Sequence, residues 1–448
     1  MKKELYHLTI ANLDPAAPEL GTKGKVVSGP CLHYSAPSAG GWGIVRTAML
    51  VPESVLLFVA PHGCGRHGSV SSVQLGLRSR IRYMDITEED LVLGSHMDRI
   101  PAVVEDILSC LPKRPPAFFI CASCIDDLLA SDYKNLCFRL TERYGLPFVD
   151  CHMNPITANS SMPPALNIQR SLYDFLCKEK NTRVPKDTLN VVGHFSPINP
   201  NSEFFSLMNE AGFEKVLQLS ACQTFEQFME MRHSSHNLLI KPFGRVACQE
   251  MERHLGIPWH KEFIRYHPEG IRRGYEGLET FLERKVSWQS CYESCMDSIS
   301  QWRRRLKGLR VGVGIGVNGS PFEIAMALAL CGVEISFLLS DAIMEYEWES
   351  IAQLKQSFPD VPVYTSYHPS MSMAEAVPEE ADVTIGFSAS YVCPSSKLFT
   401  LDADDQHYGF EAFTALLQGV KDALNSDISA RALLYTKGCL LYTSDAAD

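Results

Sequence analysis

The sequence predicts an α/β protein of three Rossmann-like layers, each a parallel sheet flanked by helices. Three observations predict it. Short apolar runs, such as Val-Leu-Leu-Phe-Val-Ala at 55–60, are too continuous for half-exposed strands and fit strands covered on both faces. Between these runs lie segments with apolar residues at helical spacing, so strand and helix alternate. The 448 residues suffice for roughly three domains of about 150 each.

Residues 1–30 are polar and turn-rich and read as an extended arm, with Cys31 immediately after. A short helical pattern at 44–50 leads into a strand at 54–60. The turn Pro61-His62-Gly63-Cys64-Gly65 follows, and its glycines let the backbone come close to whatever Cys64 holds. Residues 86–94 form a connector. The helix 100–111 puts Ile100, Val103, Val104, Ile107 and Leu111 on one face and is broken by Pro115-Pro116. A strand at 117–122 ends at Ser123-Cys124, and one helix continues to about Tyr144 with Ile125, Leu128, Leu129, Leu136 and Leu140 as its buried stripe. The strand 148–152 then completes the first domain, 1–180. The second domain, 181–307, has strands at 189–194, 216–219 and 237–241 and helices at 202–211, 225–231 and 246–255. A largely helical crossover spans 271–307. The third, 308–430, has strands at 309–315, 335–339, 361–364 and 383–387. Its helix 321–331 opens with Pro321 at the favoured first position, and a helix at 410–424 closes it. Residues 431–448 form a tail. From Gly438 it continues no pattern and resembles sequencing-adapter read-through, so no function is expected of Cys439.

Hydrophobic residues at 46% and charged residues at 21% are ordinary for a globular protein. The net charge of −11 argues against nucleic-acid binding. No long apolar run suggests a membrane span, and no apolar signal core follows the N-terminus, so a cytoplasmic protein is expected. Fifteen cysteines, an odd number irregularly spread, point away from a disulfide framework. Thiolate chemistry or metal binding is the alternative, with most thiols buried and inert.

Three cysteines share one setting. Cys31 follows a Gly-Pro turn, Cys64 follows the first strand, and Cys124 follows the second at a helix start that favours a thiolate. Neighbouring parallel strands bring their C-terminal ends to one edge, so distant cysteines can converge there. Three sulfurs are an incomplete tetrahedral set, and a fourth ligand must come from Cys121 or a second subunit. The plain alternative is buried thiols in tight turns. His62, Arg66 and His67 crowd Cys64, either facing a cluster or partner or merely exposed. Cys291 and Cys295 sit one helical turn apart without a second pair. His194, His233 and His236 are candidates to line a cleft. Separately, Gly314-Ile-Gly-Val-Asn-Gly319 fits a dinucleotide-binding turn with Asp341 as the ribose carboxylate. Tight strand–helix packing needs the same glycines.

Cys31, Cys64 and Ser123-Cys124-Ile-Asp-Asp-Leu-Leu-Ala-Ser-Asp132 resemble the three-cysteine pattern of the nitrogenase component 1 family. That family includes light-independent protochlorophyllide reductase and the reductive cyclase of nickel-tetrapyrrole synthesis. Its Gly-Asp-Asp-like ending is here Ala130-Ser131-Asp132. The connector Thr87-Glu-Glu-Asp-Leu-Val-Leu-Gly94, the turn Gly256-Ile-Pro-Trp259 and Tyr408-Gly409-Phe410 are similar to family segments in the same order. The resemblance implies three α/β domains and an iron–sulfur cluster, 4Fe–4S or P-cluster-like, ligated by Cys31, Cys64 and Cys124 at a subunit interface. It implies an identical or homologous second subunit, an ATP-dependent iron-protein reductase as electron donor, and anaerobic redox chemistry. Where the family's cofactor cysteine and histidine would fall, near Ile240 and Phe399, neither is present, although His407 is close. Nitrogen reduction is therefore not expected. An oxidoreductase acting on another substrate, a non-catalytic scaffold for metallocofactor assembly, and a nucleotide-binding enzyme using Gly314–Gly319 are the readings carried forward.

Overall fold

The computed structural model describes residues 5–15, 47–64, 72–73, 76–152, 162, 164–178, 184–366, 368–372, 374–401, 406–426 and 428. In chain order the strands are β1 (His7–Thr9), β2 (Val55–Ala60), β3 (Ile81–Asp85), β4 (Phe118–Ala122), β5 (Phe148–His152), β6 (Lys186–Val192) and β7 (Lys215–Gln218). They continue with β8 (Ser234–Leu239), β9 (Trp259–Lys261), β10 (Arg310–Val313), β11 (Glu334–Leu339), β12 (Pro362–Tyr364), β13 (Val383–Ile385) and β14 (Lys397–Phe399). They form three sheets of order β3-β2-β4-β5, β7-β6-β8-β9 and β1-β12-β11-β10-β13-β14. Every pairing is parallel except β1 against β12. The contacts divide the chain into two compact units. One holds the described residues of 40–197 and 213–262; the other holds those of 5–15, 198–212 and 263–428.

In the first unit, all six residues of β2 are buried, as its unbroken apolar sequence requires. Alternate residues Val55, Leu57 and Val59 share a core with Phe118, Ile120 and Ala122. Onto that face pack Ile100, Val104 and Ile107 of the helix His96–Cys110 and Leu136 and Leu140 of the helix Tyr133–Tyr144. On the other face Phe119 meets Phe175 of the helix Pro164–Lys178. The second sheet carries a buried polar ladder. Ser234 Oγ donates to Asn190 Oδ1 at 2.8 Å, and Asn190 Nδ2 donates to Asn237 Oδ1 at 2.8 Å. Polar side chains can occupy a core when each finds a partner.

Three expectations are corrected. The segment 124–144 is two helices, Cys124–Leu128 and Tyr133–Tyr144, because Ala130 takes a left-handed φ of +52°. Leu128 and Leu129, expected in the buried stripe of that segment, are exposed. The N-terminal arm, where described, is a strand of the third sheet: Leu8 pairs with Val363. The crossover is largely helical as expected, in two helices, Pro268–Leu282 and Gln289–Leu306, separated at Glu283 with φ +53°. No helix of the described residues is long and apolar enough to cross a membrane.

Candidate metal centre

The strands β2 and β4 are neighbours, with Val59 in register with Ala122. Their C-terminal ends therefore leave the sheet at one edge. Past β2 the chain makes a single turn in which Cys64 N–H donates to Pro61 O at 2.9 Å. Past β4, Ser123 caps the short helix that Cys124 begins. Cys64 is raised above the ordinary thiol value, first by burial and then by its neighbour Cys124. Cys31, Arg66 and His67 lie outside the described residues. Among the described residues, no group of three or more His, Cys, Asp or Glu side chains is placed to hold a metal ion.

The turn carrying Cys124 is braced by two consecutive carboxylates. Asp126 Oδ2 accepts from Ser123 N at 3.3 Å and from Ser123 Oγ at 3.1 Å, the reciprocal capping arrangement. Asp126 Oδ1 faces His96 Nε2 at 2.7 Å, and both side chains are buried. Asp127 Oδ1 lies 2.6 Å from His152 Nδ1, and His152 Nε2 lies 3.0 Å from Asp150 Oδ2. The hydrogen bond to Asp150, aided by Asp127, raises His152 to about 9 against the opposing effect of burial. His152 is therefore an imidazolium clamped between two carboxylates at the end of β5. Sequence reasoning missed His96 and His152. The adjacent Asp126-Asp127 pair was the available signal, since buried carboxylates need partners.

The connector after β3 is a capped helix, Glu88–Leu93. Thr87 caps its start together with Asp90, and Gly94 ends it at φ +67°. Arg99 reaches Asp90 at 2.6 Å. Val92 and Leu93 at its end, and Leu128 and Leu129 after Cys124, are 84%, 67%, 72% and 50% exposed. These apolar side chains follow the two strands that flank β2. His62 is also open to solvent, with Nδ1 2.9 Å from Asp85 Oδ2.

Other candidates are placed as follows. Cys121 is fully buried in β4, opposite Cys151 of β5, and burial pushes its thiol up. It is sealed in the sheet rather than presented at the rim. Cys295 is buried and Cys291 partly so. His194 is buried, with Nδ1 3.0 Å from Ser220 Oγ, and burial with Lys241 lowers it to about 3. His233 Nδ1 accepts from Val184 N at 3.4 Å, and His236 Nδ1 lies 2.9 Å from Ser235 Oγ. Ile240 is buried, and Phe399 packs where a side chain on Gly419 would stand. His407 Nδ1 is 2.9 Å from Glu411 Oε1. In the turn 314–319, a Cβ on Gly314 would strike Ser388 and one on Gly319 would strike Tyr266. Asp341 accepts from Thr365 Oγ1, Ser366 N and Ser366 Oγ. These glycines serve close packing, and the acidic side chain is engaged within its own unit.

Comparison with known proteins agrees with this layout. The profile of the nitrogenase component 1 type oxidoreductases matches residues 40–401. The chain is similar to the nitrogenase iron-molybdenum cofactor biosynthesis protein NifE of Sinorhizobium fredii, 20% identical over 77% of this chain and 72% of that one. It is also similar to light-independent protochlorophyllide reductase subunit N of Heliobacterium modesticaldum, 30% identical over 27% of this chain and 26% of that one. A solved structure, nitrogenase Cp1 at pH 6.5, superposes with a TM-score of 0.63 at 14% identity, covering 90% of this chain and 92% of its own. With a profile match across most of its length and the same parallel α/β architecture, this chain belongs to the nitrogenase component 1 type oxidoreductase family.

Proposed function

We propose that this chain is a subunit that holds an iron–sulfur cluster through Cys31, Cys64 and Cys124 at an interface with an identical or homologous subunit. When bound, such a cluster takes up and gives out electrons one at a time at low potential. The chain's own residues present Cys64 and Cys124 at one sheet edge, brace the Cys124 turn through Asp126 and Asp127, and offer Val92, Leu93, Leu128 and Leu129 as apolar surface for a covering partner. Electrons come from an ATP-dependent iron-protein reductase and pass to a substrate other than dinitrogen or to a metallocofactor. The observation that carries this reading is the placement of Cys64 and Cys124 just past the same ends of two adjacent parallel strands.

A second reading, favoured by the similarity to NifE, is a non-catalytic scaffold on which a metallocofactor is held in transit. The apolar Ile240 and Phe399 argue for either reading over a resident nitrogenase-type cofactor. Anaerobic reconstitution with iron and sulfide tests the shared premise. Wild-type protein should take up iron and gain a broad visible absorption, and Cys64→Ser should lose most of both. A colourless, iron-free wild type would overturn it. Steady turnover with reductase and ATP selects the enzyme, whereas stoichiometric release of a metallocofactor selects the scaffold.

A further inference from the structure

We infer that His96 is the positioning residue for the Cys124 ligand. This rests on the cluster reading above for its purpose, but its geometry stands without it. Asp126 is buried at the third position of the Cys124 helix, so both its carboxylate oxygens need partners inside the protein. One carboxylate oxygen is spent on the turn itself, taking Ser123 N and Ser123 Oγ. The other takes His96 Nε2, at 2.7 Å. His96 is 1% exposed and opens the helix His96–Cys110, whose apolar face is anchored in the core beneath the sheet. Its Nδ1 is buried and has no hydrogen-bond partner among the described residues, so the bond to Asp126 is the ring's polar anchor there.

The consequence is a three-step linkage. The helix fixes His96, His96 fixes Asp126, and Asp126 fixes the capping turn from which Cys124 projects. Facing a carboxylate, Nε2 carries a proton in either charge state, so the contact is a donated hydrogen bond. Without that donor, one oxygen of a buried carboxylate loses its partner. The turn then opens so that water can reach it. A ligand held on an opened turn no longer keeps a fixed place relative to Cys64.

Full-length apoprotein provides a test independent of any cluster. In His96→Phe, amide hydrogen exchange across 123–128 should quicken about tenfold, the size expected for losing a charge-assisted bond. Alkylation of Cys124 by iodoacetamide should change several-fold, while the exposed Cys110 at the far end of the same helix keeps its rate. His96→Gln, which retains a donor, should restore both to near wild type. Unchanged exchange and alkylation in His96→Phe, or a Gln variant that behaves like Phe, would overturn the inference. If His96→Phe does not fold, His96→Ala with and without added imidazole decides: a loosened 123–128 that imidazole tightens again supports it, and a turn that stays tight without imidazole refutes it. Reconstitution separates the two readings. A wild type that takes up no iron, with apoprotein that still responds to His96→Phe, ends the cluster reading and leaves the positioning role. A wild type that takes up iron, with a turn indifferent to His96, does the reverse.

Discussion

Gly409 has no room for a methyl group. Its φ is +75°, and an added Cβ would overlap Glu203 Oε1 and the Tyr275 hydroxyl. The reason lies in what Glu203 does. It accepts from Phe410 N at 2.5 Å and Glu411 N at 3.1 Å, capping the helix Phe410–Leu424, and from Tyr275 Oη at 2.8 Å. Gly409→Ala should lower stability by about 2–3 kcal/mol, combining backbone strain with steric overlap. Denaturant unfolding measures this, and an unshifted midpoint would contradict it. His152 gives a pH dependence. Its folded value, about 9, lies above the unfolded histidine value near 6.5. The stabilisation is therefore complete below the unfolded value and is lost as pH rises through the folded one. Wild type should lose on the order of 1–2 kcal/mol more than His152→Gln between pH 6.5 and 9.5, after allowance for solvent screening. Parallel pH profiles would show this clamp to be inert.

At the scale of elements, Ala130 stands where the family pattern has glycine, and it keeps the left-handed backbone such a residue supplies. Ala130→Gly should therefore stabilise the protein by about 0.5–1 kcal/mol, opposite to the usual effect of that substitution. A lowered melting temperature would refute the strain. The same residue shows why the sequence misled: the apolar stripe of the two helices flanking Ala130 is continuous in the sequence, and nothing in alanine announces a positive φ. Strands were legible where both faces are covered. Of the four that escaped the sequence reading, β1, β3, β9 and β14, each is at the edge of its sheet. An edge strand such as Ile-Arg-Tyr-Met-Asp at 81–85 is partly exposed and mixes polar with apolar side chains. The position of Cys64 and Cys124 past the ends of neighbouring strands was legible because strand order and chain direction dictate it. His96 and His152 were not, because their bonds to Asp126 and Asp127 span 30 and 25 residues of chain, although His152 also meets Asp150 two residues away.

Across the whole chain, the third sheet is completed by the N-terminal segment. Beyond β1, Ile10 N–H donates to Val361 O at 3.0 Å, and Ile10 and Leu13 are fully buried. Deleting residues 1–13 should cost about 3–5 kcal/mol of that unit's stability, the burial worth of two large aliphatic side chains. Limited proteolysis should then cut earlier within 310–428. An unaltered cleavage pattern would mean that the segment merely decorates the edge.

The single direction of the strands in the first sheet also fixes an order of events. Cys64 and Cys124 emerge from synthesis far apart, each at the end of its own strand, and become neighbours only when β2 and β4 have paired. A nascent or unfolded chain offers isolated thiols, poor at capturing iron. If these thiols hold an inorganic core, as proposed above, its loading waits for the pairing of β2 and β4 and so acts as a checkpoint on the finished fold.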